Sequence, residues 1–131
     1  MALPNGAGGY QLGDGNVNEI NMVTQVAPTA KTAAATLTAA ELATGIITYT
    51  GAAVALTVPL GADLDAAFPS MKVNSCFDFT IINTGATNAA TVTANTGCTL
   101  VGVAAVNAVT SAMWRVRKTD TATYVFYRIA G

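Results

Sequence analysis

From Ile46 to Ile129 the chain breaks into short runs of alternating residues, each closed by a turn signal after about 8–12 residues. No other feature constrains the fold as tightly. The clearest run is SCFDFTIIN, where Phe77, Phe79 and Ile81 share one parity and Cys76, Asp78, Thr80 and Ile82 the other. A period of two puts the first set on one side of a pleated strand and the second on the opposite side. The same alternation sets Val54, Leu56 and Val58 against Ala55 and Thr57, and Trp114 and Val116 against Arg115 and Arg117. It also sets Tyr124, Phe126 and Arg128 against Val125, Tyr127 and Ile129. IITYT, AATVTAN and CTLVGVAAV read as further strands, with turns at Gly51, in NTGATN and in TDTA. About seven or eight short strands so spaced predict an all-β fold, a jelly-roll-like β-sandwich, in preference to alternating helices and strands.

Two short helices interrupt the pattern. Thr38 followed three residues later by Glu41 is a capping box, and Gly45 stands where a helix-ending glycine belongs, so a helix is predicted over about Ala39 to Thr44. GADLDAAFP predicts a second helix with Asp63 as its N-cap, Pro69 as its stop, and Leu64, Ala67 and Phe68 on one face. Residues 1 to about 33 sustain no period, and a run that long inside a compact protein marks a functional arm or a disordered one. The expected organisation is an extended N-terminal arm, 1–33, and a β-sandwich body, 34–131.

The charge content says what such a body faces. Hydrophobic residues make up 52% of the chain and charged residues 10%, against roughly 25% charged in an average globular protein. The net charge is −1 with no basic run, which argues against nucleic acid, whose binding needs clustered cations. Few charges and many strand edges point to an obligate oligomer, or to a protein held on a larger surface. The longest apolar stretch, Ile46 to Leu60, is interrupted by Thr, Gly and Pro and is too short to span a bilayer. No basic segment precedes an apolar one as in a signal peptide, so the expected site of synthesis is a cytoplasm. Cys76 and Cys98 then read as buried free thiols.

The residues that could do chemistry are few. With no histidine, Ser-His-Asp and Cys-His arrangements and His-bearing metal sites are excluded. Asp63 and Asp65 form the closest acidic pair, but residues two apart on a helix do not face each other, so they read as a cap and a dipole partner. GAGGYQ resembles the start of a dinucleotide-binding loop, yet Gln11 takes the third glycine's place and no strand precedes it. Asp14, Asn16 and Asn18 fit a calcium loop until Glu19 replaces the turn glycine and Gln25 the closing glutamate. No catalytic residue, cofactor or metal is expected, although a carboxylate-based enzyme would use Glu41, Asp63, Asp65 or Asp78. Tyr49, Trp114, Tyr124 and Tyr127 could stack a sugar, but at strand spacing they read first as core or interface. Arg115, Arg117 and Arg128 are expected on one solvent or partner face.

TLTAAELATGIITYT, ALTVPLGADLDAAFP, NSCFDFTIINTG and WRVRKTDTATYVFYRI follow one another in that order. Together, across Thr36 to Ile129, they make the chain similar to the capsid cement (decoration) proteins of tailed bacteriophages. The resemblance implies a jelly-roll-like body that forms a homotrimer on the outer capsid surface of the virion and locks neighbouring major capsid protein subunits together. The arm then becomes the capsid-contacting element. Tyr10, Leu12, Val17, Ile20, Met22 and Val23 are its apolar anchors, and its glycines allow close backbone approach. The alternative is a fibre-tip or receptor-binding module whose strand aromatics meet host glycan.

Overall fold

A computed structural model describes residues 22–131. In chain order the elements are β1 (Thr29–Lys31), β2 (Ala35–Thr36), α1 (Ala39–Ala43), β3 (Ile46–Tyr49), β4 (Val54–Thr57) and α2 (Gly61–Ala67). They continue with β5 (Cys76–Asn83), β6 (Ala90–Thr93), β7 (Cys98–Val101), β8 (Ala105–Val106), β9 (Ser111–Asp120) and β10 (Thr123–Ala130). The described residues are therefore dominated by β-structure in two sheets. One has six strands in the order β1-β3-β5-β9-β10-β7 and the other four in the order β2-β4-β6-β8.

The chain shuttles between the sheets. From β1 to β9 each successive strand joins the other sheet, and the early visits to each, β1-β3-β5 and β2-β4-β6, lie side by side and run parallel. Thr29 stands opposite Ile47 and Ile46 opposite Thr80 in one sheet; Leu56 stands opposite Ala35 and Val92 in the other. A parallel β7–β10 ladder flanks the β9–β10 hairpin, and β9 is antiparallel to β5. The all-β fold predicted from sequence is thus present, as two open sheets of mixed pairing. Its strands number ten among the described residues, more than the expected seven or eight, because β1 and β2 are too short to show a period. CTLVGVAAV is also two strands: it turns at Gly102 and crosses from β7 in one sheet to β8 in the other.

Alternation is obeyed where the strands are long. The inner face of the six-stranded sheet buries Ile47, Tyr49, Phe79, Ile81, Ala112, Trp114, Val116, Tyr124 and Phe126, and the four-stranded sheet answers with Leu56, Ala90, Val92 and Val106. Phe79 and Phe126 meet edge to face with centroids 6.1 Å apart, an arrangement that aromatic quadrupoles favour. Leu37, Leu42 and Leu64 bring both helices into the same core. Among the described residues no helix is long and apolar enough to cross a membrane.

The helices test the local reading. α1 has its capping box in full: the Glu41 amide donates to Thr38 Oγ1 at 3.2 Å and the Thr38 amide to Glu41 Oε1 at 2.9 Å. Gly45 follows with φ +84°. α2 differs from expectation. It begins at Gly61 with Leu60 as N-cap and no side-chain cap, so Asp63 lies inside the first turn. Leu64 is buried and Phe68 half-buried, whereas Ala67 is exposed. The start of α2 is set by backbone contact instead. Cβ atoms built on Gly61 and Gly97 would lie 2.0 and 2.4 Å from the Ala122 carbonyl oxygen in the β9–β10 turn, so only glycine lets the three backbones meet.

Candidate interaction surface

The arm enters the body at its root. Of the six proposed anchors, Tyr10, Leu12, Val17 and Ile20 lie outside the described residues. Met22 and Val23 are 73% and 89% exposed, and Val26 beside them is exposed too. Immediately beyond, the chain is fastened to the body. The Gln25 side-chain amide donates to the Thr44 carbonyl at 2.6 Å. Residues 29–31 become edge strand β1 on β3, and Lys31 Nζ reaches Glu41 Oε2 at 2.6 Å. Burial raises the Glu41 carboxyl, but the Lys31 hydrogen bond, the Thr38 amide and the lysine charge outweigh it and leave it below the usual value. The last residues of the sequence-defined arm are therefore part of the sheet.

The second feature is the outer face of the six-stranded sheet. Opposite the buried set, one row carries Ile46, Thr80 and Met113 across β3, β5 and β9, and the next carries Thr48, Ile82 and Ser111. Two further rows read Asp78, Arg115, Tyr127, Val101 and Cys76, Arg117, Val125, Thr99 across β5, β9, β10 and β7. Met113, Val101 and Ile129 are exposed, and Ile46, Ile82, Val125 and Tyr127 half-buried. The four-stranded sheet makes a contrast. Its outer rows are Thr36, Thr57, Thr93 and Ala55, Thr91, Ala105, with no large apolar side chain.

One charge pair on the six-stranded face is neutralised within it, and a second arginine is held by neutral groups. Arg115 grips Asp78 with Nε to Oδ1 at 2.8 Å and Nη2 to Oδ2 at 3.0 Å. The hydrogen bond from Arg115, against some desolvation, holds the Asp78 carboxyl below its usual range. Arg117 donates to Tyr127 Oη at 3.0 Å and Asn74 Oδ1 at 2.8 Å, with its guanidinium 5.7 Å from the Tyr127 ring centre. Arg128 departs from the expected grouping. It points to the inner side and donates to the backbone carbonyls of Val103, Ala105 and Gly131, closing a shallow cleft of about 460 Å³. That arginine is a clamp between β10 and the β7–β8 connection.

Other candidates resolve into structure. Tyr49, Trp114 and Tyr124 are at most 1% exposed, so of the four proposed sugar-stacking aromatics only Tyr127 reaches a surface. Asp65, read from sequence as a helix-dipole partner, accepts from Tyr124 Oη at 2.5 Å, the Ala122 amide at 2.7 Å and Lys118 Nζ at 2.9 Å. Those donors, Tyr124 first, pull its carboxyl down to about 2. Cys98 is buried, donates to the Pro59 carbonyl and has its thiol pushed up to about 11 by burial. Cys76, expected buried, is exposed because its parity faces outward at the start of β5. Among the described residues no three His, Cys, Asp or Glu side chains gather as a metal site requires.

The outer face was not foreseen as a surface, although its signal was present: β5 and β10 carry apolar residues on both parities. No known protein family, curated protein or solved structure matches the chain.

Proposed function

We propose that the chain is a structural virion protein, a capsid cement (decoration) protein. On this reading it sits as a homotrimer on the outer surface of a tailed-phage head and clamps neighbouring major capsid subunits. The observation that carries the reading is the root of the arm. A tether transmits force only if its base is fixed, and here exposed Met22, Val23 and Val26 stand directly ahead of the Gln25–Thr44 bond, the β1–β3 ladder and the Lys31–Glu41 ion pair. The 21 residues before Met22 can span up to about 70 Å when extended, and they bring Tyr10, Leu12, Val17 and Ile20 as further anchors. Three such arms on one trimer make each later contact intramolecular, so modest contacts sum to firm attachment.

A jelly-roll ancestry of the body belongs to the same reading. Two facing sheets fed alternately by one chain support it, while the parallel ladders depart from the antiparallel order of that fold.

The test is co-sedimentation with expanded head shells stripped of surface proteins. Full-length chain should pellet saturably at many copies per particle, and a variant lacking residues 2–23 should stay in the supernatant while keeping its circular dichroism spectrum. Undiminished pelleting of the shortened chain would overturn the role of the arm. Binding at a few copies per particle that a host glycan competes away would favour the fibre-tip alternative.

A further inference from the structure

We propose that the outer face of the six-stranded sheet is the surface through which copies of this chain associate. The inference goes beyond the homotrimer of the reading above: identical faces meet about a two-fold axis, so this surface pairs two copies and does not close a three-fold ring. Three observations converge on a second copy as the occupant.

The first is the contrast between the two outer faces. The four-stranded sheet shows only Thr and Ala to the outside, as a water-facing sheet can. The six-stranded sheet shows Ile46, Ile82, Met113, Val125, Tyr127 and Val101. Both faces belong to one chain under the same compositional bias, so the difference is specific to the sheet. The described helices turn their buried residues to the core, away from this face.

The second is charge. Asp78 and Arg115 cancel each other in a two-bond clasp, and Arg117 is held by Tyr127 and Asn74. An identical face meets the Asp78–Arg115 pair with both charges already matched, which leaves Arg117, held by neutral groups, as the one unmatched charge on these rows. No lysine lies on it, although edge and face lysines are a common guard against self-association. The third is size. β5, β9 and β10 of eight to ten residues, widened by β3 and β7, give roughly 600 Å², of the order of the ~800 Å² each partner contributes to a stable interface.

Exposed Cys76 stands on this face and reports on it without any mutation. Sedimentation velocity of the full chain, run across a concentration series, is paired with the rate at which an aromatic disulfide reagent modifies Cys76. The expected result is an oligomer, with Cys76 modification slowing over the concentrations at which it forms. Met113→Glu and Ile82→Lys should each raise the dissociation constant by at least about tenfold, a loss near 1.4 kcal/mol. Thr91→Lys, on the outer face of the four-stranded sheet, should leave it unchanged. A chain that stays monomeric, an oligomer in which Cys76 reacts at the monomer rate, or face variants that associate like the wild type would each overturn the proposal. If a face variant unfolds, Cys76 protection in the wild type decides alone. Shell binding is a separate measurement, so a chain that self-associates here yet fails to pellet with shells overturns the cement reading and leaves this interface standing.

Discussion

The smallest unit with consequences is the Asp65 carboxylate. It joins α2 to the β9–β10 hairpin by accepting from Tyr124, Ala122 and Lys118, at the point where Gly61 and Gly97 let the hairpin turn press against the helix start. Its carboxyl is pulled from an ordinary 3.8 to about 2. Between those values the unfolded chain binds the proton more tightly, so this contribution to stability is present above about pH 4 and is lost as pH falls towards 2. Asp65→Asn should therefore be less stable than wild type at neutral pH, and the gap should narrow on acidification. Urea unfolding at a series of pH values between 2 and 7 measures it, and a constant gap would refute the assignment. Sequence placed Asp65 correctly on a helix but could not place Tyr124, which is 59 positions away in the chain.

At the scale of elements, α1 was legible because everything that starts and stops it lies within eight residues. Thr38, Glu41 and Gly45 are all local, and their geometry follows from backbone hydrogen bonding alone. Thr38→Ala should cost about 1 kcal/mol, the usual worth of an N-cap. Glu41→Ala should cost more, because the same carboxylate also holds Lys31 and with it edge strand β1. Chemical denaturation of the two variants gives the order; equal losses would mean that the ion pair contributes nothing to the fold. α2 was misread at its start for the opposite reason. Its boundary is decided by the Ala122 carbonyl from a distant hairpin, so Asp63, a good capping residue by type, is not the cap. The longest strands, β5, β9 and β10, kept the faces their alternation announced, since a period of two is enforced by the pleat itself.

At the scale of the molecule, a low charge content is joined to an outer face on the six-stranded sheet that carries Ile46, Ile82, Met113, Val125, Tyr127 and Val101. If copies associate through that face, folding is linked to association, and the stability of the body depends on protein concentration. Thermal unfolding should then show a Tm that rises as the chain is concentrated, and the rise should vanish in Met113→Glu. A Tm independent of concentration in the wild type would argue that the body is complete as a monomer.

Local order set much of this protein without help. Strand parity in the long strands and the capped helix α1 follow from residue type and spacing. Tertiary structure alone decided the pairing. Turn signals mark where a strand ends, but they do not distinguish a hairpin that returns beside its strand from a crossing into the facing sheet. That choice is made by which apolar faces bury each other across the core, a property of residues far apart in the chain. It set β1, β3 and β5 in parallel, split CTLVGVAAV between two sheets, brought Asp65 to Tyr124, and aligned Ile46, Ile82 and Met113 on one open face.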